Sequence, residues 1–175
     1  MGKRKREDEE EGEAGEEVVA KEESLDQSAV DLDESQTKPA VTTRSYDELV
    51  ELASVIAKPM ASRKLTKRLY KAVRKAKKAK KLRRGVREVV KALRKNEKGV
   101  VVLAGDVSPI DVISHIPVFC EEKEVPYCYV PCRKDLGLAG GTQRPTSVVM
   151  VQSGKDYEDV YQDCHSQVSG LPMPL

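Results

Sequence analysis

The stretch VVVLAGDVSPIDVISHIPVFCEEKEVPYCYVP, residues 100–131, decides the fold. It opens on a continuous apolar run, Val100 to Ala104, closed by the turn residues Gly105 and Asp106. A short apolar run rich in β-branched residues and bounded by turn signals marks a strand buried on both faces. Ser108 and Pro109 then fit an N-cap and the first helical position, which predicts a helix through SPIDVISH. IPVFCEEKE is expected to continue helically after a break at Pro117, and VPYCYVP reads as a second strand.

Outward from this unit, strands and helices keep alternating. Upstream, KLRR is a short extended piece before Gly85, and GVREVVKALRKNEKG is a helix turning Val86, Val89, Val90 and Leu93 inward. Downstream, RKDLGLAGG gives a short helix and loop, and TSVVMVQ gives the last strand. YEDVYQDCHSQV is a closing helix that buries Tyr157, Val160, Tyr161, Cys164 and Val168. SRKLTKRLYKAVRKAKKAKKL carries one apolar stripe (Leu65, Leu69, Ala72, Val73, Ala76, Ala79), and nearly every other residue is Lys or Arg. Before it, Ser45 with Glu48 fits a capping box, and Tyr46, Leu49, Val50, Ala53 and Ile56 fall at helical spacing up to Pro59. The fold class expected is α/β: a three-layer α/β/α sandwich on a small mixed sheet of about four strands.

Charge divides the chain. Residues 1–40 carry 14 acidic and 6 basic side chains, whereas residues 63–98 carry 18 basic and 2 acidic ones, so a net charge of +2 hides two opposed blocks. Residues 1–43 lack apolar periodicity and read as a disordered acidic tail. Residues 44–175 read as a single domain. A basic block this dense repels itself unless a polyanion lies nearby, and nucleic acid is the partner it fits. No run of about 18 apolar residues exists to span a membrane. The start has no apolar secretory segment, so Cys120, Cys128, Cys132 and Cys164 are expected as free thiols in a reducing compartment. Lys3 to Arg6, KRKR, has the composition of a nuclear localisation patch.

Other chemistries fit less well. The glycine loop of LGLAGGTQRPTSVVMV, residues 136–151, precedes a strand, whereas a P-loop must precede a helix whose N-terminus holds the phosphate. GLAG matches the GXXG of a KH domain, but that loop joins two helices. The cysteines fall on a strand and on apolar helix faces rather than at zinc-finger spacing, so they read as small core residues and no metal site is expected. His115 and His165 have no nucleophile or paired carboxylate near them in sequence, and no catalytic constellation is found. Gly85 is different. A glycine opening a helix lets an RNA backbone approach closely, and Arg87, Glu88 and Lys91 lie on one edge of the turns that follow. A carboxylate and a lysine three residues apart can meet adjacent donor and acceptor edges of an unstacked base.

In combination, RRGVREVVK, VVVLAGDVSPIDVISHIPVFCEEKEVPYCYVP and RKDLGLAGGTQRP resemble the kink-turn RNA-binding superfamily of ribosomal proteins and ribonucleoprotein subunits, over about residues 59–170. KPMASRKLTKRLYKAVRKA, Arg87 and the terminal LPMPL are similar to the branch found in H/ACA ribonucleoprotein particles. The resemblance implies a non-enzymatic RNA-binding subunit, without cofactor or small-molecule substrate. Its partners would be H/ACA guide RNA, a pseudouridine synthase and other small nucleolar protein subunits, in the nucleus and nucleolus. It also implies that Gly85, Glu88 and Lys91 face sheared G·A pairs, with Val112 near an extruded base. Arg133 or Lys134 and the loop Thr142-Gln143-Arg144 would close over that base. The superfamily carries Asn where this chain has Arg87. An amide reads a base edge, while a guanidinium chiefly adds charge and phosphate affinity, so Arg87 points to a subunit that finds its RNA with the help of partner proteins.

Overall fold

The computed structural model describes residues 45–172, so the acidic segment assigned to 1–43 lies outside the described residues. Four strands form one mixed sheet: β1 (Leu82–Arg84), β2 (Val100–Ala104), β3 (Tyr127–Val130) and β4 (Val148–Val151), in the order β1-β4-β2-β3. β4 pairs antiparallel with both β1 and β2, whereas β2 and β3 run parallel. Every residue of β2, β3 and β4 is buried, which explains why these strands read as unbroken apolar runs rather than alternating ones.

Helices cover both faces. α2 (Arg63–Lys78) and α3 (Val86–Arg94) pack on the same two strands, β1 and β4, from opposite sides. α6 (Glu158–Ser169) lies beside α2, and α4 (Asp111–Glu122) lies beside α3. A short helix, α5 (Arg133–Ala139), follows β3 and packs on α2. The stripe on α2 is buried as its spacing predicts, with Leu65, Leu69, Ala72, Val73 and Ala76 in the core and Ala79 at its margin. Each fully buried Leu or Val there contributes about 1.5–3 kcal/mol of transfer free energy. Ser62 caps the helix, accepting a bond from the Leu65 amide at 3.3 Å.

Four local expectations need correction. The first helix, α1, spans only Tyr46–Glu51 and does not run to Pro59. Its start is as read, since the Ser45 amide donates to Glu48 Oε2 at 3.3 Å. It stops because the Ser54 amide is taken by the Gly105 carbonyl at 2.8 Å, which turns the chain and leaves Val55 88% exposed. Residues 59–61 then run along the outer side of β3, with Tyr129 N donating to Pro59 O and Ala61 N to Tyr129 O, both at 2.8 Å. α4 begins at Asp111, with Ile110 in the cap position, rather than at Ser108 and Pro109. The carbonyl that accepts its first bonds is that of Ile110, from the Ile113 and Ser114 amides, and Pro109 follows a cis peptide in the preceding turn. Pro117 does not break the helix. Ile116 and Cys120, on either side of it, are both buried against the core, and that packing outweighs the one bond a proline cannot donate. In the closing segment Tyr157 is buried from a short 3₁₀ turn, Lys155–Tyr157. Cys164 and Val168 of α6 are fully buried, and Val160 and Tyr161 are packed at the margin.

Candidate nucleic-acid interface

Strand register gathers the candidate residues at one end of the sheet. Arg84 pairs with Val149, and Leu103 with Val148, so β1 and β2 both end where β4 begins. β3 ends there too, since it runs parallel to β2 with Val130 opposite Ala104. The segments leaving or entering at that end carry Gly85, Val112, Arg133, Lys134 and the loop Thr142-Gln143-Arg144.

Gly85 sits between β1 and α3 as the N-cap, with φ 93° and ψ 154°. Side chains other than hydrogen avoid this region of backbone space. Its amide is bonded to the Val148 carbonyl at 2.9 Å, and a β-carbon there would meet nothing within 4 Å. The backbone is therefore fixed to the sheet on one side and open on the other. A groove of about 270 Å³ lies over it, lined by Arg84, Gly85, Val86, Thr142, Arg144 and Pro145, with Thr146 and Ser147 at its base. Arg84 and Arg144 supply two cations to this groove, and the N-terminal amides of α3 open toward it. That arrangement suits an anionic backbone.

The loop is held from below. Thr142 N donates to the Gly137 carbonyl at 3.0 Å, and Thr146 N to the Arg133 carbonyl at 3.0 Å. The Thr142 hydroxyl accepts from Arg144 N at 3.3 Å. Gly137, inside α5, allows the loop to sit this close. From the side, Lys77 Nζ of α2 donates to the Gly141 carbonyl at 3.0 Å.

The other candidates fan out. Arg87, Glu88 and Lys91 are exposed on α3, as their spacing predicts. Arg87 and Lys91 line a shallow groove between α3 and α4 with Val86, Val90, Arg94, Lys95 and His115, while Glu88 and Lys91 border a smaller polar hollow with Arg83 and Glu97. Arg83 is itself paired to Glu97 at 3.3 Å, which leaves Arg84 as the cation of β1 that faces the groove over Gly85. Val112 is 40% exposed on the first turn of α4, and neither it nor Lys134 or Gln143 belongs to the groove lining. Arg133 is turned away from the groove. Its amide donates to Asp106 Oδ1 at 2.7 Å and its guanidinium lies 3.9 Å from Asp106 Oδ2. Burial raises the Asp106 carboxyl above its ordinary pKa, and the Arg133 amide and guanidinium only partly offset this.

Sequence reasoning missed Arg84, Asp106, Gly137 and Lys77, which together shape or brace the groove. Arg84 was visible as the cation next to Gly85. Asp106 and Lys77 act through contacts between distant segments, and Gly137 acts through the loop that folds back on it seven residues later. Cys120, Cys128, Cys132 and Cys164 are all buried, as their reading as small core residues expects.

Known proteins share sequence and fold with this chain. Residues 67–161 match the model of the ribosomal protein L7Ae/L30e/S12e/Gadd45 family. An H/ACA ribonucleoprotein complex subunit 2-like protein of Xenopus tropicalis is 51% identical over 142 residues, covering 81% of this chain and 95% of that one. An H/ACA ribonucleoprotein complex subunit 2 of Pongo abelii is 48% identical over 142 residues, covering 81% and 93%. Among solved structures, a Giardia lamblia 15.5kD RNA binding protein superposes with a TM-score of 0.64 at 28% identity, covering 66% of this chain and 97% of that one. With a mixed four-stranded sheet between two helical layers and this degree of identity along most of its length, the chain belongs to the ribosomal protein L7Ae/L30e/S12e/Gadd45 family and, within it, to the group of H/ACA ribonucleoprotein complex subunit 2 proteins.

Proposed function

We propose that the chain is a non-catalytic RNA-binding core subunit of H/ACA particles. In this reading it holds guide RNA so that a separate pseudouridine synthase can modify ribosomal and spliceosomal RNA, and telomerase RNA is held the same way where it is packaged in such a particle. The work is done in the nucleus and nucleolus, beside the synthase and the other small nucleolar protein subunits.

The observation that carries this is the groove between Gly85 at the start of α3 and the Thr142–Arg144 loop, open above and edged by Arg84 and Arg144. RNA backbone lies over Gly85, and Glu88 and Lys91 meet the edges of non-Watson–Crick pairs. Val112 packs near an extruded base, and Lys134, Gln143 and Arg144 border it. Arg133 acts indirectly, fixing the start of α5 through Asp106. Arg87 adds phosphate affinity rather than base selection.

The test is to isolate the tagged protein from cells, sequence the bound RNA and map ultraviolet crosslinks on the protein. Enrichment of H/ACA guides with crosslinks in residues 85–91 and 142–144 supports the proposal. Enrichment of other RNA classes, or crosslinks confined to the far end of the sheet, overturns it.

A further inference from the structure

The groove uses little of the positive charge on this molecule. Nine of the 16 residues of α2 are Lys or Arg, and the helix contains no carboxylate. Leu65, Thr66, Leu69, Ala72, Val73 and Ala76 turn inward. At 100° per residue, the nine cations spread over the half-turn opposite that buried seam, with Tyr70 alone among them near one edge, and eight of the nine are exposed while Lys75 is half-buried. The helix is about 24 Å long at 1.5 Å per residue, so its outer side is a cationic strip of that length.

Stability does not account for this strip. Arg63 and Lys64 stand in the first turn, which has no acidic residue, so they face the positive end of the helix dipole. Like charges recur at i and i+4 (Arg63 and Lys67, Lys67 and Lys71, Arg74 and Lys78), a spacing at which they repel. The strip also adjoins the candidate RNA groove, because Lys77, in the last turn, is bonded to the loop carbonyl of Gly141.

We propose that the outer face of α2 is a second RNA-binding surface, separate from the groove, which takes the phosphate backbone of a duplex stem without regard to its sequence. Phosphate is favoured over an acidic protein by what the face lacks. Protein interfaces are centred on buried apolar or aromatic anchors and are depleted in lysine. The one aromatic residue within that half-turn, Tyr70 beside Lys77, is half-buried against the core, and its buried hydroxyl leaves no exposed apolar anchor among the cations. A phosphate backbone needs only charge, and duplex RNA is gripped through its shape and phosphates. The groove would select and the helix would hold.

The test uses the full-length chain and two RNA hairpins with stems of about 15 base pairs, one plain and one interrupted by sheared G·A pairs, so that the A-form stem is longer than the strip. The quadruple variant Arg63→Gln, Lys64→Gln, Lys67→Gln, Lys71→Gln leaves Lys77 and the groove intact, and glutamine keeps helix propensity. Its affinity for both hairpins is expected to fall about 10- to 100-fold at low salt, with the slope of log K against log salt shallower by about 2–4. The ratio of the two affinities stays unchanged. The single variants Lys67→Gln and Lys71→Gln each reduce the slope by about one. The thermal midpoint of the quadruple variant equals or exceeds that of the unmodified chain.

An unchanged slope makes the strip a solvated face and overturns the proposal. A changed affinity ratio overturns it as well, because the strip would then be part of the selecting groove. If poly-glutamate of matched charge binds the unmodified chain more tightly than the hairpins do, and the quadruple variant abolishes that binding, the surface is for an acidic protein. Glu88→Ala, on α3 beside the groove, reads base selection at the proposed site on its own. If it leaves the affinity ratio untouched while the α2 variants still lower the slope, the groove reading fails and the second surface stands.

Discussion

Gly137 lies directly beneath the carbonyl oxygen of Arg144: a β-carbon on residue 137 would stand 2.3 Å from that oxygen. Gly137→Ala is therefore expected to push the 142–146 loop off α5. The overlap is with backbone, so the cost of about 1–3 kcal/mol exceeds the helix propensity alanine adds, up to ~1 kcal/mol. The thermal midpoint should drop by roughly 3–8 °C, and affinity for RNA should weaken with it. Gly140→Ala is the control, since its nearest neighbours are at 3.4 Å. Equal midpoints for both variants would show that the loop is not seated through this contact.

Gly85 has the opposite problem. Space is free around it, but its φ of 93° and ψ of 154° lie where only glycine is at ease. Gly85→Ala should cost about 1–3 kcal/mol from backbone strain alone. Gly85→Asn should cost as much, because the tolerance of asparagine is for the left-handed helical region, not this one. Urea unfolding of both variants checks this, and a clear rescue by asparagine would contradict the assigned backbone geometry.

At position 87 charge and recognition are expected to trade against each other. Arg87→Asn should weaken binding to a plain hairpin and lower its salt slope by about one phosphate contact. Binding to an RNA with sheared G·A pairs should hold or improve, since a good base-edge interaction is worth about 1–3 kcal/mol. Glu88→Ala should erode the discrimination in either background. Titrating both RNAs with all four proteins at one salt concentration decides it. Equal losses on both RNAs would leave Arg87 as a surface charge only.

Alkali should unfold the chain in a defined window. Burial pushes the Cys120 thiol from 9.0 up to about 12, with the neighbouring Glu121 charge adding to the shift. Burial likewise pushes the Tyr129 phenol from 10.0 to about 12. An acid with a raised folded pKa keeps its proton in the native state and releases it on unfolding, so the stability is intact below pH 9 and is lost as pH rises from 9 toward 12. Urea midpoints measured across that range should fall steadily. Cys120→Ala should start lower, from the lost volume, and fall less steeply. An identical slope would remove Cys120 from the cause.

The layers and strands were legible because each rests on a local pattern that tertiary contacts reinforce. The apolar run of β2 is buried throughout, and the stripe on α2 matches its seam. The errors lie where a distant segment intervened. Nothing within residues 45–59 announces that Gly105 will take the Ser54 amide and end α1 after six residues. Ser108 and Pro109 form a good capping pair by composition, yet the turn leaving β2 delays the helix to Asp111. The site behaved alike. Gly85, Arg87, Glu88 and Lys91 could be read from one helix start, whereas the seat of the loop on Gly137 and its brace from Lys77 join residues 7 and 64 positions apart, respectively, in sequence, Gly137 to Arg144 and Lys77 to Gly141.

The strand-like passage of residues 59–61 along β3 also bears on how the chain behaves in a crowd. The outer rim of β3 is already occupied through Pro59 and Ala61. The opposite rim, β1, is only three residues long and is set among Lys80, Lys81, Arg83 and Arg84. Short, cationic rims repel their own copies and give an incoming strand too few bonds to stay. Even where copies crowd together, the chain therefore keeps its sheet to itself, without zipping edge to edge with its neighbours.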